Sequence, residues 1–205
     1  MRYYPCDSYS ERSVTKLEFG TCSKSFSRDG SGFDPSREMN VLSWNCQGIG
    51  NSWTVDALKG LCALNHPDVI FLSETRCLRG ELDSVRYQVG FKHMVVVDCK
   101  IGRNRLGHVT RSGGLGLFWK EEVHVALQSY SESHIDVLVG EPSDPGRWRF
   151  TGVYGKPKAE HRGQTWSLLR QLGVHNRWPW VIGGDFNEIV QADEKEGGPL
   201  RCGRQ

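Results

Sequence analysis

No stretch of this sequence approaches the ~18 consecutive apolar residues of a membrane-spanning helix, and its N-terminus lacks the basic, apolar, small-residue order of a signal peptide. These absences point to a location inside the cell, the nucleus included, without membrane association. Cysteine offers no framework. The seven, Cys6, Cys22, Cys46, Cys62, Cys77, Cys99 and Cys202, are odd in number and scattered, and none forms a Cys-x-x-Cys pair. They read as reduced thiols rather than a zinc or dithiol site. There is no Gly-x-Ser-x-Gly elbow and no phosphate-cradling Gly-x-x-x-x-Gly-Lys-Ser/Thr, and the glycines at 113 to 116 do not make a dinucleotide fingerprint. Nucleophilic-serine and nucleotide-binding chemistries drop out with them. The net charge of +2 is too small to identify a polyanion binder by itself.

What is present suits one globular domain. The chain has 205 residues, 38% hydrophobic, with seven tryptophans expected to be mostly buried or stacked. Residues 1–38 hold eight serines, six basic and six acidic residues, and no apolar period. Such a segment cannot bury enough surface to offset its ordering entropy, so it reads as a disordered leader before a domain at 39–205. From Asn40 to Cys46 a short strand is expected, followed by a Gln-Gly-Ile-Gly-Asn turn. Val55, Leu58, Leu61, Cys62 and Leu64 recur at helical spacing up to Asn65-His66-Pro67. Asp68 to Ser73 is a continuous apolar, β-branched run, as in a strand covered on both faces. A helix over 80–89 follows, then strands Phe91–Val97 and Leu115–Trp119 flanking a glycine-rich loop. Further strands are expected near 122–129, 134–140 and 147–154. A helix from Glu160 to Val174 would carry Trp166, Leu169 and Leu172 on one face, and the strand Trp180–Gly184 leads into Asp185. This order predicts a layered α/β domain.

Four of these strands end in a residue suited to phosphate and divalent-metal chemistry: Asn45, Glu74, Tyr154, and Asp185 with Asn187. Strand ends in layered α/β domains combine a rigid scaffold with side chains that still reach ligand. Hard divalent ions choose oxygen donors and are often held by only one or two carboxylates plus substrate oxygens. Amides and a tyrosine hydroxyl add hydrogen bonds to a phosphate without adding repulsion. Singly, each residue also fits a duller role, as turn former, helix cap or core aromatic. Only the ordered set points to chemistry.

That set resembles the endonuclease/exonuclease/phosphatase superfamily. The resemblance rests on Ser43-Trp44-Asn45-Cys46-Gln47-Gly48, Ser73-Glu74-Thr75, Ser112-Gly113-Gly114-Leu115-Gly116, Val153-Tyr154-Gly155-Lys156-Pro157 and Gly183-Gly184-Asp185-Phe186-Asn187. It covers about residues 39–198, and its wording is most similar to the apurinic-type endonuclease domain of plant LINE-type retrotransposons. The resemblance implies a four-layer α/β sandwich, two packed mixed sheets flanked by helices and here incomplete at the C-terminus. It also implies hydrolysis of DNA phosphodiesters with magnesium, or manganese as a substitute. Glu74 would be the principal metal ligand, with Asn45 beside it helping to bind the metal or the scissile phosphate. Asp185 would orient or deprotonate the attacking water, Asn187 would hold the phosphate and that water, and Tyr154 would donate to the phosphate. Gln47 departs from the aspartate frequent at that position in repair enzymes.

Family members continue to a Ser-Asp-His motif. None occurs in these 205 residues, and all seven histidines precede Gly-Asp-Phe-Asn. The expectation is therefore weak or absent turnover, since losing a general acid-base group costs about 10² to 10⁴-fold. Noncatalytic nucleic-acid binding by a retroelement remnant, or phosphatase action on a non-DNA substrate, are the rival readings. From Lys100 to Arg111 there are four formal positive charges and no acid. Arg103, Arg105 and Arg111 are accordingly candidate contacts to a nucleic-acid backbone. A monomer is assumed.

Overall fold

The computed structural model describes Val14–Phe19 and residues 39–188. In chain order the elements are β1 (Val14–Phe19), β2 (Met39–Asn45), α1 (Ser52–Asn65), β3 (Val69–Ser73), α2 (Arg79–Gln88), β4 (His93–Val97), β5 (Lys100–Arg103), β6 (Val109–Ser112), β7 (Leu115–Trp119), β8 (Val125–Ser131), β9 (His134–Val139), β10 (Trp148–Tyr154), α3 (Arg162–Gly173) and β11 (Trp180–Asp185). The strands form two mixed sheets, ordered β1-β2-β3-β7-β4 and β11-β10-β9-β8, and a separate β5-β6 ribbon inserted between β4 and β7 of the first.

The sheets pack face to face through Val41, Val69, Phe71, Leu117, Ile135, Val137 and Phe150. Contact is close enough that a Cβ on Gly152 would stand 2.2 Å from the Phe71 ring. β3 is buried at all five positions. It has the β2–β7 sheet on both edges, the second sheet on one face and helices on the other, which is why its sequence is continuously apolar. The outer face of the first sheet is covered by α1 and α2 through Leu42, Leu58, Leu61, Leu82 and Val85. Asn51 caps α1, its side chain accepting from Thr54 N–H, and His66 ends it in the left-handed region. On the outer face of the second sheet, Arg149 reaches from β10 to donate to the Leu172 carbonyl of α3. The resulting architecture is a four-layer α/β sandwich, as expected from the sequence.

Beneath α3 lies a buried polar knot. Arg149 donates from Nε and Nη2 to the two oxygens of Asp136, each at 2.8 Å, and Thr151 Oγ1 donates to Asp136 at 2.6 Å. Trp180 Nε1 donates to the same threonine oxygen. Every buried polar group in the knot thereby has a partner, as a low-dielectric interior demands.

Several local expectations differ from the structure. Within the stretch read as a disordered leader, Val14–Phe19 forms β1, antiparallel to β2 from Val14 opposite Trp44 to Phe19 opposite Met39. The open edge of β2 offers unpaired backbone groups to any nearby extended segment, and Val-Thr-Lys-Leu-Glu-Phe has enough strand propensity to take them. The rest of that leader, and 189–205 of the expected domain, lie outside the described residues. The glycine-rich loop after β4 contains the β5-β6 ribbon. Leu64, placed by spacing on the buried face of α1, is exposed, and so is Trp53 at 87%. On α3, Leu169 is buried while Trp166, expected on the same face, is half-exposed.

Candidate active site

Each sheet contains one parallel pair, β2 with β3 and β10 with β11. Parallel neighbours end on the same side, so Asn45 lies opposite Ser73, one residue before Glu74, and Tyr154 lies opposite Asp185. Face-to-face packing of the sheets then brings the two strand ends together. Asn45 Nδ2 donates to Asp185 Oδ2 at 2.7 Å and stands 3.5 Å from Glu74 Oε1. Tyr154 donates its hydroxyl to Glu74 Oε1 at 2.7 Å. Residues separated by 140 positions in the chain thus touch.

The backbone around them is held in unusual conformations. Of the five non-glycine residues with positive φ among the described residues, four are here: Gln47 (48°), Glu74 (52°), Arg76 (53°) and Asn187 (52°). Such values are uncommon outside glycine and persist only where surrounding contacts impose them, as at ligand sites. At Glu74 the contacts are Gly48 N–H donating to its carbonyl and the Thr75 and Arg76 N–H groups donating to Gly114 and Gly113 carbonyls. The turn carrying the carboxylate is thereby pinned between two glycine-containing loops. Gly184, at φ 142°, precedes Asp185, and a Cβ there would lie 2.0 Å from the Val153 carbonyl oxygen. Only glycine permits β10 and β11 to close so tightly at the carboxylate. Asn187 N–H donates to Asp185 Oδ1 at 2.8 Å, and Asn187 Nδ2 donates to the Gly155 carbonyl. Trp166 stacks on Phe186 with ring centroids 6.0 Å apart. That stacking explains its half-exposed position: it braces the loop between Asp185 and Asn187 instead of filling the core.

Asn45 presents its amide nitrogen to both carboxylates while its oxygen accepts from Gln47 N–H at 3.2 Å. In this orientation it bridges Glu74 and Asp185 rather than offering an oxygen to a metal. Arg76, which the sequence reading missed, donates from Nη2 to Glu74 Oε2 at 3.1 Å. Its position two residues after a strand-end glutamate was the available signal. Burial pushes the Tyr154 hydroxyl pKa well up, reinforced by its bond to Glu74 and by the charges of Glu74 and Asp185, against an opposing hydrogen bond with Asn187. Tyr154 therefore remains a protonated donor throughout the physiological range.

The donor set suits a hard divalent ion: two carboxylates and no thiolate or imidazole at the same strand ends. The Glu74 side chain keeps 19% of its surface exposed, enough for a ligand to approach. Among the described residues, no cluster of three or more His, Cys, Asp or Glu side chains is placed to hold a metal ion, and this site itself brings together only two carboxylates. His134, by contrast, is buried in the second sheet with its ring nitrogens bonded to the Ser129 and Ser131 hydroxyls.

The three candidate arginines do not join this cluster. They lie on the β5-β6 ribbon and its turn. Arg111 at the base donates to both Glu81 oxygens and to the Arg76 carbonyl, Arg103 donates to the Gly107 carbonyl, and Arg105 is exposed at the tip.

A layered α/β domain with paired carboxylates at converging strand ends defines the class, and comparison with known families agrees. Residues 42–199 match the Endonuclease/Exonuclease/phosphatase family, and the chain belongs to it. No curated protein sequence matches the chain. Among solved structures, the human Nocturnin catalytic domain with bound sulfate is similar at 15% identity and a TM-score of 0.52, over 73% of this chain and 65% of that one. This likeness shows a shared fold. Also similar are a Neisseria 3′ phosphatase, NExo, bound to product DNA hairpin (19% identity, TM-score 0.48, 73% of this chain and 58% of that one). The endonuclease domain of TRAS1, a telomere-specific non-LTR retrotransposon, is similar at 14% identity and a TM-score of 0.48, over 73% and 61%. The chain spans 58% to 65% of the length of these three. No helix among the described residues is long and apolar enough to cross a membrane.

Proposed function

We propose that this chain is a divalent-metal-dependent phosphodiester hydrolase that nicks DNA, with an origin in a LINE-type retrotransposon. One observation carries the reading. Glu74 and Asp185, from different sheets, are held at one point by Asn45 and Tyr154 with only Arg76 on the outer Glu74 oxygen, a convergence of oxygen donors that suits a hard cation.

Glu74 is the residue to hold magnesium, or manganese in its place, with Asp185 facing it across the Asn45 amide. When bound, the ion supplies charge to balance that building on the phosphoryl oxygens. Asp185, fixed by Asn187 N–H, orients the attacking water and accepts its proton as oxygen bonds to phosphorus and the opposite P–O bond breaks in line. Tyr154 contributes a hydrogen bond and no proton, because its hydroxyl is held protonated. Asn45 acts by setting the spacing of the two carboxylates, and Asn187 by holding Asp185. None of the partners of these side chains among the described residues is a histidine, so where these residues act alone the leaving oxygen takes its proton from solvent. Acting without a positioned general acid, these described residues would turn over slowly, about 10² to 10⁴-fold below a site that has one.

Two other readings of the same carboxylate pair are a noncatalytic DNA binder and a phosphatase of a non-DNA ester. A panel of supercoiled plasmid, an inositol phosphate and bis(p-nitrophenyl) phosphate, each with magnesium or with chelator, separates the readings. The proposal expects metal-dependent relaxation of the plasmid in excess protein. Binding without relaxation supports the binder, and preferential release of phosphate from the inositol ester supports a non-DNA phosphatase.

A further inference from the structure

The β5-β6 ribbon is the part of the molecule least explained by packing. All eight of its strand residues are exposed, including Ile101 at 58% and Val109 at 60%, and Leu106 at the turn is 79% exposed. Register places Ile101 opposite Arg111 and Arg103 opposite Val109, so these four share one face, two aliphatic and two cationic. No acidic residue occurs from Lys100 to Ser112.

The ribbon is built to stand out rigidly. At the turn, Asn104 Oδ1 accepts from Leu106 N–H and His108 N–H, Gly107 N–H donates to the Asn104 carbonyl, and Arg103 donates to the Gly107 carbonyl. The base is clamped from two sides. Arg111 pairs with Glu81 of α2, while Lys100 pairs with Glu132 in the β8-β9 turn, which also binds Lys156, two residues past Tyr154. Through Arg111 and the Arg76 carbonyl the base is two residues from Glu74. A tip so closed holds the Leu106 side chain out in water, where none of the described residues covers it.

On the reading of DNA as substrate, we propose that this ribbon enters the major groove beside the cleaved strand, with Arg103 and Arg105 on phosphates and Leu106 against base edges. Width decides the groove. Two strands about 4.8 Å apart, with their side chains, need roughly 10 Å. The major groove offers about 12 Å and the minor groove about 6 Å. The absence of acid along the ribbon matches the charge of duplex DNA rather than that of a mixed-charge protein surface.

Dimethyl sulfate footprinting tests this on the full chain, because the reagent alkylates guanine N7 in the major groove and adenine N3 in the minor groove. In about 50 mM salt, where backbone contacts are strong, the chain is expected to bind an oligonucleotide duplex and protect guanine N7. The exposed triple substitution Arg103→Ala, Arg105→Ala and Leu106→Ala, with unchanged circular dichroism, should weaken binding about tenfold or more. It should also abolish protection and lower the salt slope by about 2, one for each phosphate contact. Protection of adenine N3 instead, or unchanged binding and slope in the variant, would overturn the ribbon's role while leaving the DNA reading standing. Failure of the unaltered chain to bind duplex at all would overturn both.

Discussion

Replacing Asn45 by aspartate turns the bridge between two carboxylates into a third carboxylate. The amide nitrogen now donates to Asp185 Oδ2 at 2.7 Å and lies 3.5 Å from Glu74 Oε1. An oxyanion in its place meets two like charges, each worth about 4 kcal/mol of repulsion at 4 Å and an effective dielectric of about 20. The cluster escapes by keeping a proton, so protonation caps the cost. Holding a carboxyl of ordinary pKa near 4 protonated at pH 8 costs about 5 kcal/mol, at 1.36 kcal/mol per unit. The sign follows from linkage. The new group's folded pKa is raised above its unfolded value, so the penalty is absent below about pH 4, grows as pH rises, and levels off above the folded pKa. Asn45→Ala, which loses the same hydrogen bonds without adding charge, is the reference. Urea unfolding of both variants in chelator from pH 4 to pH 8 should show the stability gap opening by up to about 1.4 kcal/mol per pH unit. Millimolar magnesium should narrow it by favouring the ionised cluster. A gap independent of pH would mean that the three side chains do not converge in solution, and the account of the site would fall.

Two further outcomes follow from the same contacts. Asp136→Asn strands the buried Arg149 guanidinium, and should cost about 3 to 5 kcal/mol, seen as a melting temperature lower by roughly 6 to 20 °C; a loss under about 1 kcal/mol would show that the knot beneath α3 is not formed. Because the Tyr154 hydroxyl stays protonated in the fold at a pH where it ionises in the unfolded chain, stability should fall as pH rises above about 10. Tyr154→Phe should remove part of that fall in alkaline urea titrations, and an identical alkaline profile would refute the buried hydrogen bond to Glu74.

The strand-end residues were legible because each follows a run whose pattern announces a strand, and a polar side chain at such an end has few reasons to be there. Asn45, Glu74, Tyr154 and Asp185 accordingly come together as the order of the motifs implied. Arg76 was hidden because its reach to Glu74 depends on positive φ at both residues, which side-chain identity does not encode. The bridging role of Asn45 required knowing that two carboxylates approach one amide from different sheets. The ribbon escaped notice because its strands are only four residues long, exposed on both faces and hold one aliphatic residue each, too few to mark an alternation, while Gly102 and Gly107 suggested a loop. β1 is formed by a partner edge, a long-range property that composition over 38 residues averages away. Trp166 was placed on one helix face with Leu169 and Leu172, but spacing could not show that its stacking partner, Phe186, lies across the site loop.

The central claim is that Glu74 places a divalent cation where a phosphodiester is cleaved. Relaxation of supercoiled plasmid by excess purified chain, with magnesium and with chelator, for the unaltered protein and for Glu74→Gln measures it directly. Glu74→Gln keeps an oxygen to accept from Tyr154 while removing the charge. Slow nicking that requires the metal and disappears in Glu74→Gln is the predicted result. Nicking that persists in Glu74→Gln, or that proceeds equally in chelator, would contradict it.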